Sequence, residues 1–404
     1  GKAPDTSRTC TLRADRVRTL GGLDIALERQ QEILSALGFE VTRKDGDLVC
    51  GVPSWRPDVN GEADLVEEVC RIAGLDNIPP VPLSRPDAVA KPVLTARQKR
   101  MVATRRRLAD CGMHEAVTWA FLKKDFALLF GGGSREMELA NPISTDLSDM
   151  RPSLIPNLIS AAGRNVARGF ANVALFEVGQ TYAGLEPEDE ELRAAGIRRG
   201  ETGPRHWSEK PRPVNAFDAK AGALAALEAA GAPVQSLQVG KGAPDWFHPG
   251  RSGTFQLGPK NQLGWFGEVH PLVLEKMDVS GPLVAFEIVL DNIPAARKKT
   301  TSRPAMNISD LMPVTRDFAF VVDSQTEADR LVRAARGANK KLISDVSVFD
   351  VFEGEALGAG KKSIALEVTL QPYDKTLTEA DIEAVSSAII EKVAKATGAT
   401  LRGQ

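Results

Sequence analysis

From Pro313 to the end of the chain the apolar residues switch repeatedly between a period of two and a helical period, and this order constrains the fold more than any other feature of the 404-residue sequence. Alternation predicts strands over Asp317–Val322, Asp345–Val351 and Ser363–Leu370, with a short last strand near Thr400–Arg402. Helical spacing predicts helices over Ala328–Arg336 and Glu379–Thr397, the second capped by Thr378. Strand, helix, strand, strand, helix, strand is the split, ferredoxin-like order: a four-stranded sheet with both helices on one face. Ile364, Leu366, Val368 and Leu370 then point at the helices, while Ser363, Ala365, Glu367 and Thr369 face away. Phe318 and Phe349 read as core.

That module occupies only the end of the chain. Single cores stop growing at about 250 to 300 residues, so more than one domain is expected. Upstream, the sequence predicts a strand over Thr9–Leu12, a helix over Ile25–Leu37, and strands Phe39–Arg43 and Asp47–Val52 around a Lys44-Asp45-Gly46 turn. An acidic helix follows, and Pro79, Pro80 and Pro82 close a small α+β module of winged-helix-like layout. The middle block opens with Thr95 as the N-cap of a helix ending at Cys111. Met101, Thr104, Leu108 and Cys111 face inward, and Arg97, Arg100, Arg106 and Arg107 outward. Strands are expected over Ala116–Leu122, Met137–Ala140, Val173–Tyr182, Ser252–Leu257, Leu263–Val269 and Leu283–Leu290, with helices at Leu154–Arg168 and Ala219–Ala230. This is the pattern of an antiparallel α+β sheet. Gly184–Asn215, polar and rich in charge, reads as a long loop, and Pro294–Asn307 as a basic linker.

A formal charge of -2 excludes a polybasic coat. Cys10, Cys50, Cys70 and Cys111 form no CxxC pair, and His114, His206, His248 and His270 are dispersed, so neither a zinc site nor a disulfide framework is indicated. Reduced thiols fit a cytoplasmic protein. No apolar run approaches the roughly 18 residues of a membrane span. The chain opens Gly1-Lys2 rather than with methionine, which reads as a piece of a longer protein.

The acidic stretch, VPSWRPDVNGEADLVEEVCR, poses the sharpest chemical question. A helix from about Gly61 to Ala73, capped by Asn60 and stopped by Gly74, places Leu65, Val69 and Ile72 on one face. Asp64, Glu67, Glu68 and Arg71 fall on the other, with Asp58 in the preceding loop and Glu67 in reach of Arg71. Spacing leaves two readings open: a solvated, salt-bridged face, or a face that gathers around a cation.

Several segments resemble the β subunit family of bacterial phenylalanyl-tRNA synthetases. They are PSWRPD at 53–58, EADLVEEVCRIAGLDNIP at 62–79, NPIS at 141–144, MRPSLIPNLISAAGRNVARG at 150–169, LFEVGQTY at 175–182, HPGRSG at 248–253 and GEVHP at 267–271. PVTRDFAFVVD at 313–323, FDVFEG at 349–354 and the ending from YDKTLTE to ATLR complete the series, in order along the chain. The resemblance implies three domains: a winged-helix-like module over 1–82, a class II synthetase-like antiparallel sheet domain without catalytic chemistry over 83–296, and a ferredoxin-fold anticodon-binding domain over 308–404. It implies a magnesium ion on Asp58, Asp64, Glu67 and Glu68 shared with an α subunit, ATP and catalysis on that α subunit, tRNA(Phe) as the RNA, and an assembly of two α and two β chains. The family's N-terminal tRNA-binding and editing domains have no counterpart in this sequence.

The residues agree on the lack of chemistry. No FRxE follows a strand and no GxGxGxxR occurs, so the guanidinium groups that grip ATP phosphates in class II enzymes are missing. Cys111 reads as packing, and His248 and His270, each before a proline, as turn caps. RNA contact is expected from Arg316, Lys361, Lys362, Tyr373, Lys375 and Arg402, which supply phosphate-seeking charge and one stacking ring. Competing classes are a stand-alone nucleic-acid-binding protein, a magnesium-dependent hydrolase on the acidic cluster, and a structural paralogue without an aminoacylation role.

Overall fold

The computed structural model describes residues 1–2, 5, 7–83, 92–295, 305–306, 308–354 and 357–403. The linker expected over Pro294–Asn307 lies largely outside them. The chain divides into two compact units, Gly1–Lys91 and Pro92–Gln404.

The first unit runs β1 (Thr9–Leu12), α1 (Arg16–Gly21), α2 (Leu27–Ala36), β2 (Glu40–Lys44), β3 (Asp47–Gly51) and α3 (Glu62–Ala73). Its antiparallel sheet has the order β1-β3-β2. Lys44 pairs with Asp47 across a two-residue turn in which Asp45 and Gly46 both take positive φ, 51° and 90°, the mirror-image turn that matches strand twist. Leu12, Val17, Ile33, Leu34, Leu48, Leu65 and Val69 close one core. The six-residue α1 was not foreseen; it is too short and too charged for a helical period to stand out.

Two features of α3 differ from expectation. Gly61 rather than Asn60 is the N-cap, because the Asn60 side chain accepts from Arg8 instead. Ile72 is exposed, while Glu68, assigned to the wet face, is buried.

The second unit begins with α4 (Ala96–Asp110), β4 (His114–Glu115), β5 (Phe121–Leu122), α5 (Lys124–Leu129), β6 (Asp149–Met150), α6 (Ile155–Ala167), β7 (Val173–Tyr182) and β8 (Glu190–Arg199). It continues through α7 (Ala216–Ala229), β9 (Gln238–Gly240), β10 (Phe247–Gln256), β11 (Gln262–Val269), α8 (Pro271–Lys276) and β12 (Leu283–Val289). The sheet order is β4-β7-β8-β12-β11-β10-β9, antiparallel except for β4 beside β7.

Both faces of this sheet are covered. Leu108 of α4 and Ala223 and Leu227 of α7 pack with Phe266 and Phe286, while Ile155, Leu158 and Ile159 of α6 pack with Ala285 and Phe247 on the opposite side. Every residue of β12 is therefore buried. Thr95 caps α4 through Gln98, as predicted, and Thr104 and Leu108 are fully buried.

The expected loop Gly184–Asn215 contains β8, a central strand paired on both sides. Its middle residues, Ala194, Ala195 and Gly196, carry little hydrophobic signal, yet all three are buried in the sheet. A Cβ on Gly196 would lie 2.5 Å from the Phe286 ring, and one on Gly222 of α7 2.8 Å from it. Met137–Ala140, expected as a strand, holds instead the end of a short 3-10 turn over Arg135–Met137, and Ala116–Leu122 contains only the two residues of β5.

The unit ends with β13 (Val314–Asp323), α9 (Ala328–Arg336), β14 (Ile343–Phe352), β15 (Lys361–Leu370), α10 (Glu379–Thr397) and β16 (Thr400–Leu401). The sheet order β14-β15-β13-β16 is antiparallel throughout. Phe318, Phe320, Leu366 and Val368 pack against Leu331, Val385 and Ile389 of the two helices, which is the split motif read from the pattern.

Replacing Gly196 with alanine is expected to cost about 1 to 3 kcal/mol by overpacking against Phe286. The measurement is a lower urea midpoint for the larger unit, partly restored when Phe286 is also changed to leucine; an unchanged midpoint would contradict the close approach.

Candidate functional site: acidic helix, central sheet and C-terminal sheet

The loop before α3 brings Arg56 and Asp58 against the helix. Arg56 donates from Nε to Asp58 Oδ1 at 2.9 Å, from Nη2 to Asp58 Oδ2 at 2.6 Å, and from Nη1 to Glu68 Oε2 at 3.1 Å. Arg71, one turn after Glu68, donates to the same Oε2 at 2.7 Å. This pairing corrects the expected partnership of Arg71 with Glu67, which stays exposed. Asp64 Oδ2 accepts the backbone N–H groups of Asn60 and Gly61 at 2.7 and 2.8 Å, closing the first turn of the helix.

Hydrogen bonding to Arg56 holds the Asp58 carboxyl down at about 2, and Arg56 followed by Arg71 lowers that of Glu68. Three of the four carboxylates named from the sequence thus have partners within the chain. Among the described residues, no group of three or more His, Cys, Asp or Glu side chains is placed to hold a metal ion. The four do not form a ready oxygen cage for a hard cation, which needs several free oxygen ligands.

On the central sheet, two buried ion pairs occupy the charged groups. Arg151 Nη1 reaches Glu177 Oε1 at 2.7 Å, and Thr118 donates to the other Glu177 oxygen at 2.6 Å. Arg193 Nη1 reaches Glu287 Oε2 at 2.9 Å, while its Nη2 meets Glu191 at 2.6 Å. Glu287 Oε1 also accepts from Ser153 at 2.9 Å and from the Leu154 N–H at 2.7 Å. A cavity of about 310 Å³ remains between Phe130, Thr181, Arg193, Trp246 and Trp265, and its one guanidinium, Arg193, is already held by both glutamates. Neither of these paired arginines is free to take a phosphate. His270 Nδ1 accepts the Leu272 N–H at the start of α8 and His248 Nδ1 the Gly250 N–H, the capping roles expected of them.

The outward arginines of α4 divide. Arg97 pairs with Asp291 at 2.9 Å and Arg100 donates to the Pro294 carbonyl at 2.7 Å, so these two are engaged within the unit.

In the C-terminal sheet, register separates the six residues named for RNA contact. Lys361 and Lys362 open β15 opposite Asp323 and Val322, whereas Tyr373 and Lys375 follow its far end, where Val314 meets Leu370 and Arg316 meets Val368. Ten residues of strand span roughly 30 Å, so the two groups are not one patch. Lys375 is paired with Asp381 at 3.0 Å. Arg402 lies across the face away from the helices, 5.4 Å from the centre of the Phe352 ring. Tyr373 is exposed, as are Phe349 and Phe352. Phe349 had been read as core; it lies at a bulge between Val348 and Asp350, where simple alternation fails. Phe352 and Arg56 are the functional candidates that sequence reasoning passed over. The charge of Arg56 beside Asp58 was the available signal for one, and Phe352 in FDVFEG for the other.

Family models match three stretches: "tRNA synthetase B5 domain" over residues 10–75, "Phenylalanyl tRNA synthetase beta chain CLM domain" over 81–290 and "Ferredoxin-fold anticodon binding domain" over 309–402. The chain is 53% identical over all of its length to the phenylalanine--tRNA ligase beta subunit of Paramagnetospirillum magneticum, covering 50% of that protein. It is 51% identical to that of Bradyrhizobium diazoefficiens, covering 51% of it, and 53% identical over 96% of its length to that of Mesorhizobium japonicum, covering 49%. The chain therefore spans about half the length of these relatives. The solved pyrrolysyl-tRNA synthetase of Desulfitobacterium hafniense aligns with 48% of this chain and 67% of its own at 20% identity and a TM-score of 0.35, too slight a likeness to carry an argument.

Part of the pH dependence of the first unit follows from Glu62, whose carboxyl is held at about 2, against an ordinary 4.5, chiefly by its hydrogen bond from Arg13. A depressed carboxyl stabilises the fold above its ordinary range, and that contribution fades as pH falls from 4.5 toward 2. Glu62→Gln is expected to lower the urea midpoint at pH 7 by the equivalent of about 1 kcal/mol or less, the screened value for a partly exposed pair. Its midpoint should also change less between pH 5 and pH 3 than that of the unaltered chain; parallel pH profiles would remove Glu62 from the account.

Proposed function

The chain belongs to the phenylalanyl-tRNA synthetase beta chain family, and from that membership we propose that it acts as a non-catalytic β subunit in the ATP-dependent attachment of phenylalanine to tRNA(Phe). The observation that carries the non-catalytic part is the locking of Arg151 and Arg193 onto Glu177, Glu191 and Glu287. Guanidiniums neutralised by the chain's own glutamates are not ready to bind the phosphates of ATP. Adenylation and transfer then fall to a catalytic α subunit, with ATP bound there, in an assembly of two α and two β chains in the cytoplasm. No described helix is long and apolar enough to cross a membrane. On this reading the chain has three domains, 1–82, 83–296 and 308–404, the middle one serving as scaffold for the partner.

A magnesium ion shared with the α subunit at Asp58, Asp64, Glu67 and Glu68 is part of the same reading. As folded here the four carboxylates do not fit such an ion, so no step of the reaction is assigned to it.

RNA contact belongs to the C-terminal sheet, and within it to the Lys361, Lys362, Phe352 and Arg402 end. Cations and an exposed ring meet there, and neither lysine forms an ion pair among the described residues. Arg316, Tyr373 and Lys375 form a second, separate group, with Lys375 partly neutralised by Asp381.

The deciding experiment is co-expression with an α subunit, followed by size measurement and phenylalanine charging with and without this chain. Charging only with the mixture supports the proposal; phenylalanyl-adenylate made by the lone chain ends it. In the assembly, Phe352→Ala is expected to weaken tRNA(Phe) binding by about 1 to 3 kcal/mol if a base stacks there. Lys361→Ala should reduce the slope of log affinity against log salt by about one. Lys375→Ala should act less than Lys361→Ala; the reverse order would move the RNA to the other end of the sheet.

A further inference from the structure

We propose that the cavity where the large sheet meets the C-terminal sheet is a second contact for RNA, taking an unpaired nucleotide of the same RNA that meets Lys361 and Lys362. The proposal rests on the RNA reading above and carries its footprint onto the large-sheet domain.

The cavity, about 420 Å³ in volume, is bounded by the start of α7, by β9 and β10, and by the start of α9. That is within the size range of small-ligand sites. Its charged lining is Lys220, Lys241, Arg251, Glu327 and Asp329. Arg251 is engaged by Glu268 at 2.5 Å and Asp329 by Arg333 at 2.8 Å. Lys220, Lys241 and Glu327 form no ion pair among the described residues, so the uncommitted charge is two ammoniums against one carboxylate. Lys220 Nζ lies 6.0 Å from the centre of the Phe266 ring, another lining residue. Phe217, one turn before Lys220 on α7, is 72% exposed in the same lining. An exposed ring beside uncommitted cations suits an unpaired nucleotide, whose base stacks on the ring while its phosphate meets the ammoniums.

Position selects RNA over a free nucleotide. Lys361 pairs in register with Asp323 at the end of β13. Ser324 then donates its N–H to the Gly360 carbonyl at 2.8 Å, and Gln325 Oε1 accepts from Lys241 Nζ at 3.4 Å. Two residues, at most about 7 Å of chain, therefore lead from the Lys361 end of the C-terminal sheet to the residue that Lys241 touches. Asp323, the carboxylate between them, accepts the Gln325 N–H at 2.9 Å. Lys361 and Lys362 are thus followed across the junction by Lys241 and Lys220, whereas Arg316 and Lys375 belong to the opposite end of the sheet. A polyanion gains from every cation along this path; a mononucleotide has only the cavity.

The test measures the affinity of the purified α and β assembly for tRNA(Phe) over a series of salt concentrations, with circular dichroism melts to check the folding of each variant. Lys220→Ala and Lys241→Ala together are expected to flatten the slope of log affinity against log salt by about two. Phe217→Ala should weaken binding by about five- to a hundredfold at fixed salt and leave the slope unchanged. Glu327→Gln, which removes the unpaired carboxylate, should tighten binding. Gln325→Ala separates charge from bracing, because it breaks the contact that Lys241 makes across the junction without removing a cation. A slope that falls equally with Gln325→Ala and Lys241→Ala would make the lysine a brace and overturn the proposal. Lys361→Ala, measured in parallel, separates the two levels. If it flattens the slope while the Lys220, Lys241 and Phe217 variants bind as the unaltered assembly does, the cavity is no RNA contact and the RNA reading stands; if none of them changes binding, both fall.

Discussion

Glu287 lies in the middle of β12 without solvent contact, and the architecture of the large sheet depends on how its charge is satisfied. Its two oxygens take the Ser153 hydroxyl, the Leu154 N–H and Arg193, which joins the start of α6 and the strand β8 to the centre of the sheet. Removing a partner from such a site leaves a buried, uncompensated charge, a loss of about 3 to 5 kcal/mol. The placement is also apt for a helix start, where a carboxylate meets the positive end of the dipole and an otherwise unpaired N–H. The neighbours of Glu287 on β12, Phe286 and Ile288, face the other layer, so one strand anchors helices on both sides.

The same device shapes what the domain does. Two arginines of the sheet domain are matched by glutamates, the buried Arg151 by Glu177 and the half-buried Arg193 by Glu287, and the pairs are close enough to be neutral as seen by an incoming anion. A phosphate binding at either arginine would have to break its pair and leave a glutamate stranded in the interior. The sheet domain therefore keeps its charged interior as internal pairs that brace strands against one another.

Where local chemistry dictates conformation, the sequence was sufficient. Asp45-Gly46 is a turn because positive φ is needed at both positions, Thr95 and Gln98 cap α4 reciprocally, and the βαββαβ order follows from periodicity alone. Where tertiary packing overrides local signal, it was not. β8 was hidden because Ala194, Ala195 and Gly196 look like loop, although Gly196 must be small against Phe286. Glu68 was assigned to water because helical spacing puts it beside Asp64; only the loop carrying Arg56 buries it. Phe349 escaped because a bulge inserts one residue and changes the face of those that follow. The cations of the C-terminal sheet were individually legible, but their division between two ends required the strand register.

The two ends of the chain differ in how some of their arginines are satisfied. In the first unit, Arg56 and Arg71 are neutralised at 2.6 to 3.1 Å by carboxylates of the same fold, and Arg13 by Glu62 at 2.7 Å. Such a surface has satisfied itself, and a partner must exchange one ion for another to enter it. On the C-terminal sheet, Arg402 rests on an aromatic face and Arg316 donates to the carbonyl of Thr315, and neither forms an ion pair among the described residues. Cations left without an anion within the fold gain most from a polyanion, because binding releases condensed counter-ions and no internal pair has to be broken. An anion meeting Arg316 or Arg402 on this sheet would have no internal ion pair to break, whereas one meeting Arg56 or Arg71 would have to displace a carboxylate that the chain already supplies.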